Sequence, residues 1–396
     1  MYLEKEWLWR WGRSVGQAPF SLRRRCGCPP PRVGRRCRCG AAAALLPSRR
    51  WEAYSLALVL ISVPSTFVAL FYLRQKAEEM NPSPSTSTKT DKMAERSDML
   101  VVMLSGNVAV LQALLTRRHF HVFVEEVTTV DRLVRARTPF VPLWLLMWLS
   151  SVVMLSVLDL ISVYDAGGGL HAASHVPNHV NYLLVYTMEV LFAEDSYSIC
   201  SRFRTLNARL ESACLVAAAR YPLELRPGMA PVRQPSRQRD PWSDKWSVWA
   251  RTTSNSDLPL VPSVSGALEL DGIPIHHLQD AYALLCSSVH NVTRRYGPVL
   301  VIDVLNLLLH FVTTSYFFLS VLMYDARLQK QMEQQHQHRR EVYVTMQGLW
   351  IFAHLSRLGL LVHPCSKVKE EANKTGALVG TFLNKLNPSC HFRRQV

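Results

Sequence analysis

The chain has 396 residues, of which 48% are apolar, and a formal net charge of +15. No Walker loop, GxSxG or HExxH is present, which leaves the nucleotide-hydrolysing, serine-hydrolase and zinc-protease classes without a motif. No basic groove interleaved with aromatics accompanies the positive charge, so nucleic acid is not an expected partner.

The apolar residues gather into six blocks, 53–73, 99–115, 140–163, 176–193, 299–323 and 344–362. Each approaches the roughly 20 residues that cross a bilayer as a helix. The second carries Asn107 and Gln112, and the fourth carries Glu189. With a cytosolic N-terminus, segments 1–52, 116–138, 200–297 and 364–396 hold 35 of the 45 Lys and Arg. The external segments 74–98, 164–178 and 324–343 hold nine, and 164–178 holds none. This bias predicts a multi-pass protein of the cell membrane with its N-terminus inside. The fold class expected is all-α, a polytopic transmembrane helical bundle with helices extended into the cytosol.

Residues 1–52 read as a basic, disordered cytosolic tail. Cys26, Cys28, Cys37 and Cys39 form CxC-x8-CxC. Zinc ligation is one reading, but the spacing departs from the C-x2-C pairs of zinc knuckles, and no metal is expected. The nine cysteines are odd in number and none lies in an external segment, so no disulfide framework is implied. The first four spans occupy 53–199. Pro64 sits inside the first of them, where neighbouring helices can repair the backbone. Residues 80–92 read as a disordered loop. Phe120, Phe123, Val124, Val127, Val130 and Val134 then recur at helical spacing. Asp131-Arg132 reads as a pair on that helix's surface.

The stretch 180–210 predicts one helix that leaves the membrane and continues beyond it. Phe203, Leu206, Asn207 and Leu210 share one face. Cytosolic helices fill 200–297, interrupted by a Pro/Arg/Ser-rich insertion at 221–275. Leu278, Tyr282, Leu285, Val289, Val292 and Tyr296 step by four and three, a heptad seam. Spans five and six occupy 298–362. A cytosolic helix and tail follow at 363–396, with Val368, Ala372, Thr375, Val379, Phe382 and Leu386 repeating the rhythm. His276-His277 and His336/His338 read as loop histidines. Asp159, Glu189, Asp303, His310, His354 and Arg357 lie in or near spans. They read as scattered in depth, with Asp303 and Arg357 near the cytosolic ends, where snorkelling suffices.

The run Arg202-Phe203-x2-Leu206-Asn207-x2-Leu210 after the fourth span resembles the insect gustatory receptors. Cys365-x5-Glu371-Ala372-x2-Thr375 after the sixth is similar to that family as well, and the likeness covers about 53–386. The resemblance implies a seven-span chemoreceptor, a tetrameric ligand-gated cation channel subunit that senses a small-molecule tastant, alone or with other gustatory receptors. It implies cytosolic assembly through Arg202, Phe203, Leu206, Asn207, Leu210, Cys365, Glu371, Ala372 and Thr375. The family's seventh, pore-lining span is missing after the sixth, so the expectation is a truncated chain unable to form a pore alone. No cofactor and no catalytic residue are expected.

A ligand pocket is expected where the outer halves of the spans converge, mixing aromatics with a few polar groups. Span direction nominates Asn107, Ser156, Asp159, Asn181, Tyr182, Tyr186, Thr314, Tyr316, Phe317, Gln347 and Trp350. The alternative is a small-solute transporter, marked by proton- or ion-coupled uptake through Glu189 or Asp159. A G-protein-coupled receptor is a third choice.

Overall fold

The computed structural model describes residues 6–18, 20–25, 42–79, 89–134, 143–220, 269–270, 273–328 and 334–386. Among them the chain is a helical bundle. Its elements are α1 (Glu6–Ser14), β1 (Phe20–Arg25), β2 (Ala42–Pro47), α2 (Arg49–Glu79), α3 (Lys89–Leu115), α4 (Arg117–Val134), α5 (Leu143–Arg220), β3 (Glu269–Leu270), β4 (Ile273–Pro274), α6 (Ile275–Leu328) and α7 (Gln334–Leu386). The strands form two small antiparallel hairpins, β1 with β2 and β3 with β4.

All six apolar blocks are helical wherever they are described. By length and hydropathy, three helices can cross a membrane: Arg49–Tyr72, Met147–Asp165 and His277–Tyr316. A fourth is the pair Met99–Leu115 and Arg117–Val134, bent by 64° at Thr116. The expected count of six exceeds this because the blocks at 176–193 and 344–362 carry polar groups that turn inward. Glu189 and Arg357 are fully buried. The outward surface has the opposite character. Ile61, Val68, Phe71, Leu170 and Phe352 are each about 70% exposed. Apolar side chains facing out around a polar interior are what a hydrocarbon solvent selects.

Helix α5 is the axis. It is two helices joined at Gly168, whose φ of 78° is left-handed. The external loop expected at 164–178 is therefore a sharp turn between helical residues. From Asn181 to Leu210 most of α5 is buried, and it packs against α2, α3, α6 and α7. Helix α3 comes close to α5 at Gly106. A Cβ there would lie about 3.0 Å from the Asn181 Cα, so only glycine fits without displacement.

The disordered-tail expectation fails for the described N-terminal residues. Helix α1 and the turn after it dock beneath the bundle because they carry both apolar and hydrogen-bonding groups. Leu8 and Phe20 are buried, Trp11 Nε1 donates to Thr187 Oγ1 at 3.0 Å, and Gln17 Nε2 donates to the Leu184 carbonyl. Ser55 Oγ donates to the Gly16 carbonyl at 2.7 Å. Helix α3 begins at Lys89, inside the loop expected at 80–92. The four cysteines of CxC-x8-CxC, the His276, His336 and His338 side chains and most of 221–275 lie outside the described residues.

Beyond the apolar blocks, α4, α5, α6 and α7 continue as a second packed layer. Its core includes Phe120, Phe123, Val127, Phe203, Leu206, Leu285 and Tyr296. Asp131 is not a partner of Arg132 on the helix surface. Instead it accepts two bonds from Arg202, Nε at 2.8 Å and Nη2 at 2.9 Å. Arg202 is 1% exposed and needs that carboxylate, whereas Arg132 is exposed. Arg202 Nη1 also donates to the Ser198 carbonyl at 2.7 Å. Asn207 joins α5 to α7. Its Nδ2 donates to the Glu371 carbonyl and to Glu371 Oε2, both at 3.0 Å, and its Oδ1 accepts from Thr375 Oγ1 at 2.6 Å. Arg204 Nε reaches Glu371 Oε1 at 3.0 Å, which holds the guanidinium above its ordinary pKa. An apolar cavity of about 370 Å³ opens in this layer, lined by Phe192, Ile199, Phe203, Tyr282, Val289 and Val368.

Replacing Asn207 with Leu leaves the Thr375 hydroxyl and the Glu371 carboxylate without their amide. The expected cost is about 1–3 kcal/mol, read as a lower unfolding midpoint of the purified chain in detergent. An unchanged midpoint contradicts this role.

Candidate functional site

Three charged side chains meet inside the bundle. Arg357, Glu189 and Asp303 are each 0% exposed. Arg357 Nε donates to Glu189 Oε1 at 2.9 Å and Oε2 at 3.2 Å. Its Nη2 reaches Asp303 Oδ1 at 2.9 Å and Glu189 Oε1 at 2.9 Å. The guanidinium also lies 4.4 Å from the centre of the Tyr186 ring. The sequence expectation of scattered depths and snorkelling ends is corrected here. Each residue sits four or five positions from the same, basic end of its apolar block, so α5, α6 and α7 present them at one level. Counting depth along the oriented spans puts them at one level, though not on facing sides.

One turn further along lies a layer of rings. His310 stacks on His354 with centroids 5.1 Å apart, and Tyr182 OH approaches His310 Nε2 at 2.9 Å. Trp350 lies 5.4 Å from Tyr182 and 5.8 Å from His354. Tyr186 packs against Trp148 at 5.2 Å, and Trp148 Nε1 donates to Ser356 Oγ at 3.3 Å. Val102, Val152 and Ala353 pack in the same cluster as Tyr182, Tyr186 and Trp350. Several polar atoms here have no hydrogen-bond partner among the described residues. They are Tyr186 OH, Asp303 Oδ2, both amide atoms of Asn306, His354 Nδ1 and Arg357 Nη1. All five residues are at most 2% exposed, so bulk water does not satisfy them.

Beyond the rings is an amide cluster. Asn181 Nδ2 donates to the Pro177 carbonyl at 2.8 Å and lies 3.3 Å from Ser62 Oγ. Asn107 Nδ2 donates to the Met103 carbonyl at 2.8 Å and is 3.4 Å from Asn181 Oδ1.

The nominated residues therefore separate into groups. Tyr182, Tyr186 and Trp350 come together in the ring layer, and Asn107 meets Asn181. Thr314 is buried, while Ser156 and Gln347 are half-buried. Asp159 pairs instead with His179 at 3.3 Å. Tyr316 faces outward, 46% exposed, and the Phe317 side chain lies outside the described residues. Ser62, Trp148 and Asn306 escape the sequence reading. Ser62 and Asn306 are small polar residues in apolar runs; Ser62 is distinguished only by its contact with Asn181, and Asn306 only by its complete burial. Among the described residues no group of His, Cys, Asp and Glu has the arrangement of a metal site.

The sequence model of the 7tm Chemosensory receptor family matches residues 43–396. A relative, the gustatory receptor for sugar taste 43a of Drosophila melanogaster, is 25% identical over 215 residues. That match covers 54% of this chain and 46% of the relative, so the chain spans about half the length of the curated relative it matches. Apolar helices long enough to cross a membrane, a polar interior and this sequence pattern describe a multi-pass membrane protein. With the match extending over nearly nine-tenths of its length, the chain belongs to the 7tm chemosensory receptor family.

Proposed function

We propose that this protein is a gustatory receptor, one subunit of a ligand-gated cation channel in the cell membrane, and that its ligand is a small neutral polyol such as a sugar. The observation that carries the reading is the buried layer in which the Trp350 ring lies 5.4 Å from Tyr182 and 5.8 Å from His354, with His354 Nδ1 and the amide of Asn306, on α6 between Asp303 and His310, buried and without a hydrogen-bond partner among the described residues. Rings stack on the C–H faces of a sugar, and the polar atoms bond its hydroxyls. Glu189 and Asp303 are engaged by Arg357, so a neutral guest suits the site better than a cation. The sugar-taste relative supports the same class. Binding biases a closed–open equilibrium through higher affinity for the open arrangement. Four subunits assemble through the layer that Arg202, Asn207, Glu371 and Thr375 knit together.

Purified protein titrated with a panel of monosaccharides tests the ligand. A stabilising shift in unfolding temperature with at least one sugar is expected, and Trp350→Ala should weaken binding about tenfold, the scale of one lost stacked ring. Wild-type affinity in Trp350→Ala and in Asn306→Leu together contradicts the site. Proton-coupled uptake of the same solute, lost in Glu189→Gln, supports the small-solute transporter instead.

The N-terminus and the basic layer are cytosolic in this reading. Asn291-Val-Thr293 and Asn373-Lys-Thr375 are N-glycosylation sequons. Asn291 is buried and donates to Glu126 Oε2 at 3.0 Å, whereas Asn373 is exposed and reports the side directly. Glycosidase treatment of protein from insect cells should leave its mobility unchanged. A shift abolished by Asn373→Gln contradicts the orientation.

A further inference from the structure

A cavity of about 620 Å³ lies between the first turns of α2 and α4, lined by Phe20, Arg49, Glu52, Arg117, Arg118, His121 and Val122. Three arginines face one carboxylate, and that carboxylate, Glu52, is ion-paired with Arg117. The lining is therefore strongly positive. Two helix starts, Arg49 and Arg117, adjoin the cavity, and their leading amides and dipoles add to the field. A fourth positive charge stands behind the wall. Arg295 is 4% exposed and lies 3.9 Å from the centre of the Phe120 ring, which in turn packs on Phe20 at 5.2 Å.

The cavity's level is fixed by the sequence. Arg49 precedes the first apolar block by four residues, and Arg117 and Arg118 follow the second by two and three. Both helices thus place their arginines where hydrocarbon gives way to the lipid headgroups. Val122, 43% exposed, and Phe20 supply an apolar margin beside the charges. A merely favourable distribution of positive charge at a membrane boundary needs neither concavity nor convergence of two helix starts.

We propose that this cavity binds the headgroup of an anionic phospholipid that carries phosphate monoesters, a phosphorylated inositol lipid of the leaflet on the basic side. Several guanidinium forks around one concavity match the oxygens of clustered phosphate monoesters, and a single phosphodiester or carboxylate engages fewer of them. Basic pockets between helices at this depth suit such heads. The lipid clamps α2 to α4 across the bend at Thr116, which joins the first two spans to the basic layer. The site is separate from the ring layer and stands or falls independently of the ligand reading.

The test uses the full chain in nanodiscs of phosphatidylcholine doped with a phosphorylated phosphatidylinositol or, separately, with phosphatidylserine, followed by native mass spectrometry. Retention of the phosphorylated inositol lipid above phosphatidylserine is expected. Arg49→Gln and Arg118→Gln should each lower that retention about fivefold, while Arg132→Gln, on an exposed part of α4, leaves it unchanged. Arg118→Lys keeps the charge but loses the fork and should fall between. Unfolding midpoints in lipid-free detergent identify any variant that is simply unstable, and retention is compared only among variants that match wild type there. Equal retention of both lipids, or full retention in the Arg49→Gln/Arg118→Gln double variant, overturns the proposal. Displacement of the lipid by soluble inositol phosphate at equimolar amounts also overturns it, because the occupant is then a soluble phosphate and not a membrane lipid.

Discussion

A guanidinium enclosed at zero exposure among apolar helices is the constraint around which this bundle is arranged. Arg357 cannot shed its charge, and removing it from water costs several kcal/mol unless carboxylates take the place of the solvent. Glu189 and Asp303 do so from two other helices. The requirement fixes the rotation of α5, α6 and α7 together, since turning any one of them by a single residue withdraws a partner. It also fixes their relative height. Packing alone would not, because apolar side chains slide past one another at little cost when lipid is the competing solvent.

The rest of the interior follows from that fixed level. With Arg357 held, His354 lies one turn away and stacks on His310, and Trp350 lies one turn further and meets Tyr182. The candidate ligand layer is thus set on the charged cluster as on a floor. Below the floor the polar link of Asn207 with Glu371 and Thr375 repeats the device in the basic layer, again joining α5 to α7. Helices α5 and α7 run from the ring layer past the level of Arg357 into the basic layer.

Much of the architecture was legible in the sequence because bilayer thickness sets block length and helical periodicity sets the buried face. The heptad seam from Leu278 to Tyr296 and the face of Phe203, Leu206, Asn207 and Leu210 are examples, and both lie in the core. The convergence of Glu189, Asp303 and Arg357 was not read, because an ionisable residue near the end of a span has two outcomes. It snorkels if its face meets lipid headgroups, and it pairs if its face meets other helices. Rotation decides between them, and rotation depends on neighbours that single-helix periodicity does not contain. The sequence pairs Asp131 with Arg132 for the same reason: adjacency in sequence is visible, while Arg202, 71 residues away, is not. The N-terminal helix was hidden by composition, since its Trp11, and Gln17 in the turn after it, find their partners on α5.

The central claim is that Arg357 is held by compensation and not by packing, and a comparison of charge-removing variants tests it most directly. Thermal unfolding in detergent would be followed for Arg357→Met and for the triple variant Arg357→Met/Glu189→Gln/Asp303→Asn. Removing one member of a buried charged group costs about 3–5 kcal/mol, whereas replacing the whole group by neutral side chains is often close to neutral. The account predicts a severely destabilised single variant and recovery of most of the lost stability in the triple variant. A single variant as stable as the native chain, or a triple variant as unstable as the single, would contradict it.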